Sequence, residues 1–142
     1  MIKHWKSSKG CYVYRILSGR ANVYMINSGG AFYLIDTGRS NVREKLIKNF
    51  KTIINDEKLS ALILTADSLS VIVDNEIAIV GDALFGISRR SVMPPFANDR
   101  ALMVKSWHKL LETGCNIFLP GHGSEVDRIL LEYSYNRYKN KF

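Results

Sequence analysis

The sequence predicts a mixed α/β domain in which helices pack on sheet. Short strands of alternating or continuous apolar residues open the chain, the hydrophobic period then changes to three and four residues, and strands and helices alternate afterwards. The 142 residues fit one domain, and we expect a single domain over 1–142. Hydrophobic residues make up 46% and charged residues 23% of the chain, a composition typical of globular proteins.

Three strands are predicted in the first third of the chain. Each is rich in aromatic and β-branched residues and ends at a turn that contains glycine. They are Tyr12–Leu17, Asn22–Ile26 and Ala31–Ile35. The four turn residues from Asn27 to Gly30 favour a hairpin between the second and third strands.

The first helix and the fourth strand follow. Apolar residues at three- and four-residue spacing predict an amphipathic helix, with Ser40 or Asn41 as its cap; they are Val42, Leu46, Ile47, Phe50 and Ile54. Leu59–Leu64 is nearly all apolar, which predicts a strand that is buried on both faces.

The second half of the chain repeats the alternation of strands and helices. The predicted strands are Leu69–Val73, Ile77–Val80 and Ile117–Leu119. Asp99 is predicted to cap a helix that closes at Gly114, and Ser124 to cap the last helix.

Charge and cysteine content narrow the functional classes. The first 60 residues carry eleven Lys and Arg against four Asp and Glu, so they hold all of the formal net charge of +7. Such a surface attracts anions, but no nucleic-acid-binding motif accompanies it, and we expect neither nucleic-acid binding nor a membrane partner. Cys11 and Cys115 form no disulfide framework or zinc motif. These two unpaired cysteines and the absence of an apolar leader segment together predict a cytoplasmic protein.

Three polar residues lie just past apolar strands, each beside or near a glycine. They are Asp36, Asp82 and His122. Ligand sites of α/β sheets collect at such strand ends, and a carboxylate with an imidazole suits a divalent metal. Two other interpretations stay open, because Asp36 also fits a structural turn at a strand end and a lone histidine also fits a hydrogen bond to backbone.

Four segments of the chain, in order, resemble the metallo-β-lactamase superfamily of metal-dependent hydrolases. They are Asn22–Ile26 with the D-T-G turn at Asp36, Leu62–Thr65, the G-D segment Ala78–Phe85 and the P-G-H-G turn Phe118–Gly123. The resemblance implies an αββα sandwich with two metals, bridged by Asp82 and with His122 on the second metal. Metal-bound water would be the nucleophile.

The chain departs from this family where the H-x-H-x-D-H motif would stand. Thr65 leads instead into Ala66, Asp67 and Ser68, which resemble a later family segment. The simplest interpretation is an internal deletion near 65–66, which leaves a truncated sandwich. Only three histidines are present, so Asp82 and His122 remain as the ligands of a remnant site, with Asp67 as a speculative third oxygen donor.

These departures predict an impaired hydrolase homologue. A catalytic zinc takes about three protein ligands, so we expect two-metal hydrolysis to be weak or absent, with no tightly bound cofactor and at most a weak zinc or other divalent ion. The resemblance leaves the enzyme class open, and two alternatives stand beside it: an active metallo-hydrolase with a mononuclear site at Asp82 and His122, and a binding module that uses the basic surface.

The deletion also predicts exposed sheet edges. Leu59–Leu64 and Leu69–Val73 would then pair as a hairpin or merge around a kink. We expect a homo-oligomer that forms through an exposed edge.

Overall fold

The computed structural model describes residues 1–65 and 69–142, which fall into two compact units, Met1–Thr65 and Ala66–Phe142. Within the described residues there are two sheets and three α-helices, so the predicted α/β class is confirmed. The speculative ligand Asp67 lies outside the described residues. No helix among the described residues is both long enough and apolar enough to cross a membrane.

Unit 1 is a five-stranded sheet with one helix. Its strands are β1 (Lys3–Lys6), β2 (Tyr12–Leu17), β3 (Val23–Ser28), β4 (Ala31–Ile35) and β5 (Leu59–Ile63), in that spatial order. Neighbouring strands are antiparallel except β4 and β5, which are parallel. The helix α1 (Arg43–Ile54) crosses between these two strands, and its apolar side packs with β2, β3 and β4 in one core.

Unit 2 is a four-stranded sheet with two helices. Its strands, in spatial order, are β6 (Val71–Val73), β7 (Ile77–Gly81), β8 (Ile117–Pro120) and β9 (Val126–Asp127). The central pair, β7 and β8, is parallel, and α2 (Arg100–Glu112) crosses between them. With α3 (Arg128–Tyr138), α2 covers a core centred on Trp107, whose Nε1 donates to the carbonyl of Ala83 at 2.7 Å.

Two sequence predictions in unit 1 are wrong at the local level. The 3-10 turn Ser40–Val42 precedes α1, and neither Ser40 nor Asn41 caps the helix with its side chain. The predicted double burial of Leu59–Leu64 is also wrong, because β5 is the edge strand of its sheet and Leu62 is 48% exposed. The short edge strand β1 is a further element that the sequence patterns did not indicate.

Two predictions at the start and end of unit 2 are corrected. β5 and β6 belong to different sheets, so they neither pair as a hairpin nor merge. The cap of the last helix is Asp127, which accepts a hydrogen bond from the Leu130 amide at 2.8 Å. Ser124 instead lies in the turn after β8, where its amide donates to the carbonyl of Gly86. The predicted Asp99 cap of α2 is confirmed.

Candidate metal-binding pair

Asp82 and His122 lie together at one edge of the unit 2 sheet. Asp82 directly follows β7 and His122 follows β8 by two residues. Because β7 and β8 are parallel neighbours, their carboxyl ends meet at the same edge. His122 Nε2 is 3.2 Å from Asp82 Oδ1, and the two side chains are 31% and 50% exposed.

Backbone contacts between the two turns fix this arrangement. The Gly86 amide donates to the His122 carbonyl at 2.9 Å, and the Ser124 amide donates to the Gly86 carbonyl at 2.9 Å. A side chain at Gly86 would place its Cβ 1.7 Å from the Ser124 carbonyl oxygen. Glycine is therefore required for the turn that carries His122 to lie this close to the chain after β7.

One further side chain borders the histidine. The ring of Phe85 lies against the imidazole of His122, with 4.6 Å between the ring centroids and an interplanar angle of 38°. Phe85 therefore supplies an aromatic contact to the imidazole beside Asp82. In the sequence, Phe85 belongs to the G-D segment, and no pattern there indicates this contact.

Asp36 has its contacts within unit 1. It follows β4, and its carboxylate accepts hydrogen bonds from the Thr65 amide at 2.7 Å and the Thr65 hydroxyl at 2.5 Å. The Asp36 amide donates to the carbonyl of Ile63. Both carboxylate oxygens thus connect the end of β4 to the end of β5, as expected of a structural turn at a strand end.

The other histidines have different surroundings. His108 lies on α2, with its Nε2 3.8 Å from Glu112 and its ring stacked on Tyr135. His4 lies on β1 beside the rings of Tyr12 and Tyr14. Across residues 1–65 and 69–142, no three side chains of the His, Cys, Asp and Glu types converge as metal ligands would.

The thiol of Cys115 is not activated. Cys115 is fully buried, and burial raises the pKa of its thiol above the ordinary value, which disfavours the reactive thiolate. Cys11 is half-buried, with its Sγ 3.3 Å from the hydroxyl of Ser28. Both are free cysteines.

The spacing of the Asp82–His122 pair bears on the metal centre that the resemblance implies. Two ligands at about 2.0–2.2 Å from one tetrahedral ion lie about 3.4 Å apart, so the observed 3.2 Å suits one shared ion. A second ion would need ligands that the described residues do not supply. The donors that the described residues bring together, one carboxylate and one imidazole, fit one shared ion and are too few for a two-metal centre.

Solved structures share this fold. A metallo-β-lactamase from Pontibacter korlensis matches with a TM-score of 0.61 at 11% identity, over 99% of this chain and 100% of that chain. This chain has the metallo-β-lactamase fold. The H-x-H-x-D-H motif does not occur in its 142 residues.

Two other matches are a metallo-β-lactamase and a flavo di-iron protein. A metallo-β-lactamase from Pseudomonas aeruginosa, in its mono-zinc form, matches with a TM-score of 0.59 at 12% identity, over 98% of this chain and 96% of that one. A flavo di-iron protein from Thermotoga maritima, in a histidine-to-alanine mutant, matches with a TM-score of 0.55 at 13% identity, over 95% of this chain and 61% of that one. No protein-family model and no curated protein matches the sequence.

Proposed function

We propose that this chain is a metallo-β-lactamase-fold protein that has lost the two-metal hydrolytic centre and keeps a remnant that binds at most one divalent ion weakly. The observation that carries the proposal is the donor count at the sheet edge, where Asp82 and His122 are the only such donors that come together among residues 1–65 and 69–142. Hydrolysis in such a centre depends on a firmly held ion that lowers the pKa of its bound water. Two side chains do not hold an ion firmly enough for this.

The proposed origin of the loss is an internal deletion near 65–66. The boundary between the two compact units falls between Thr65 and Ala66, at the position where the sequence passes from one family segment to a later one. Each unit keeps its own core on either side of this point. A deletion at the boundary between two cores removes a connection while leaving both packed, which supports this origin.

Zinc titration of untagged protein by calorimetry tests the proposal. We expect at most one site, with micromolar or weaker affinity, and we expect Asp82→Asn and His122→Gln each to abolish it because each removes half of the donor set. His108→Gln is the matched control, since His108 pairs with Glu112 on an exposed face of α2. Two tight sites, or zinc binding that His108→Gln weakens and His122→Gln does not, would contradict the proposal.

The same proteins distinguish an active mononuclear hydrolase from a remnant. We expect no hydrolysis of activated esters or β-lactams by the zinc-loaded protein above the level of its Asp82→Asn variant. Zinc-dependent turnover that Asp82→Asn abolishes would establish the mononuclear alternative instead.

We also propose that the chain forms a dimer through the free edge of β5. This strand has a partner on one side only among the described residues. It contains no charged or proline residue, which are the features that normally protect edge strands. Leu62 and the following Leu64 are 48% and 62% exposed. A second copy supplies an identical edge, and pairing about a two-fold axis would cover the leucines of both.

Light scattering coupled to gel filtration measures this association. We expect the mass of a dimer for the unmodified chain and that of a monomer for Leu62→Lys, because a charge on the edge disfavours strand pairing. Leu102→Lys is the control, since Leu102 lies on α2 and is similarly exposed, at 59%. A monomer mass for the unmodified chain at high concentration would refute the dimer.

We propose that the chain resides in the cytoplasm, because its two free cysteines are typical of proteins in a reducing compartment.

A further inference from the structure

A cavity of about 240 Å³ lies in unit 1, between the β2–β3 loop and the start of α1. Ser18 and Arg20 line it from the loop, and Arg39, Asn41 and Lys45 line it from the helix side. Apolar residues from the same two segments complete its wall. The cavity is made entirely by residues within one unit, so its shape depends on that unit alone.

The charged residues of this cavity are all cationic. Arg20, Arg39 and Lys45 line it, and no acidic residue does. Among the described residues, no carboxylate lies within ion-pair distance of any of the three. The three residues are exposed to solvent, and an anion held in the cavity would be attracted by all three charges.

Two features of the surroundings add to the positive potential. Unit 1 carries eleven Lys and Arg against four Asp and Glu, the whole of the net charge of +7. α1 begins at Arg43 without a side-chain cap, and Val42, the residue before it, lines the cavity. The amino-terminal end of a helix carries a partial positive charge that favours anions.

We propose that this cavity binds the phosphate group of a small molecule. Arginine guanidinium groups match the paired oxygens of phosphate, and lysine adds a point charge. The amide of Asn41 and the hydroxyl of Ser18 offer further donors. The volume suits a phosphate or diphosphate group with a small attached body. A concave site of this size selects a compact anion, whereas a nucleic-acid backbone would follow an extended basic surface.

Calorimetry with inorganic phosphate, pyrophosphate and sulfate tests this site. We expect saturable one-to-one binding of pyrophosphate that weakens at least about tenfold in Arg20→Gln and in Arg39→Gln, because each removes a charged hydrogen-bond donor. Lys48→Gln is the matched control. It removes the same charge from an exposed position on α1 that does not line the cavity, and we expect less than a twofold change.

The probes also distinguish how many phosphate groups the site takes. Binding of phosphate as strong as that of pyrophosphate indicates a site for one phosphate group, whereas a clear preference for pyrophosphate indicates a site for a diphosphate group, and both outcomes support the site. Absence of saturable binding, or equal weakening by Lys48→Gln and Arg39→Gln, overturns it. Tighter binding of a single-stranded RNA oligomer that Lys48→Gln weakens equally would also overturn it, in favour of an extended basic surface.

Discussion

Replacing Gly86 by alanine is expected to lower the free energy of unfolding by about 3 kcal/mol or more. The new Cβ would lie 1.7 Å from the carbonyl oxygen of Ser124 and 2.9 Å from its amide nitrogen. Both are backbone atoms, so no side-chain rotation can relieve the overlap. The turn that carries His122 would have to move, and its hydrogen bonds with Gly86 would be lost.

Urea unfolding followed by circular dichroism measures this loss. The matched control is Gly29→Ala, because Gly29 has a φ of 59° but no atom within 4 Å of an added Cβ. We expect the free energy of unfolding of the control to fall by only about 1–2 kcal/mol, which is the cost of placing alanine in the left-handed region. If Gly86→Ala costs no more than Gly29→Ala, the two turns are not packed as described.

Most strands could be predicted from the sequence because each carries a strong local signal. Tyr12–Leu17 and Ala31–Ile35 match the observed strands, since β-branched and aromatic runs bounded by glycine leave little choice of structure. Whether a strand is central or at an edge depends on which neighbours the rest of the chain supplies. The apolar run of β5 therefore gave no warning that Leu62 would be exposed.

The pairing of Asp82 with His122 could be predicted for a physical reason. Both follow apolar strands that prove to be adjacent and parallel, and strand order brings their ends together. Asp36 also lies at the end of an apolar strand, β4. The parallel neighbour of β4 is β5, so the residue that Asp36 meets is Thr65, at the end of β5. The cavity lined by Arg20, Arg39 and Lys45 was missed because it joins two segments distant in sequence, although the charge excess of the first 60 residues was its signal.

Asp36→Ala is expected to lower the free energy of unfolding by about 2–4 kcal/mol. The substitution removes two hydrogen bonds that Thr65 donates to the carboxylate. A single hydrogen bond to a charged group contributes about 1.5–3 kcal/mol to stability. The substitution also leaves alanine at a φ of 64°, where aspartate is tolerated better than most residues. The Thr65 amide should then exchange with solvent faster, because its acceptor is gone.

Two further substitutions separate the causes of this loss. Asp36→Asn keeps an acceptor oxygen and the tolerance of a left-handed backbone, so it should lose about 1 kcal/mol and keep much of the protection of the Thr65 amide. Asp36→Gly removes the two hydrogen bonds, but glycine tolerates the left-handed backbone, so the stability of this variant should fall between those of Asp36→Ala and Asp36→Asn. Hydrogen exchange of the Thr65 amide, read by NMR alongside urea unfolding, measures both effects. An unchanged exchange rate in Asp36→Ala would show that Asp36 does not hold the ends of β4 and β5 together, and would reopen a role for its carboxylate in ligand binding.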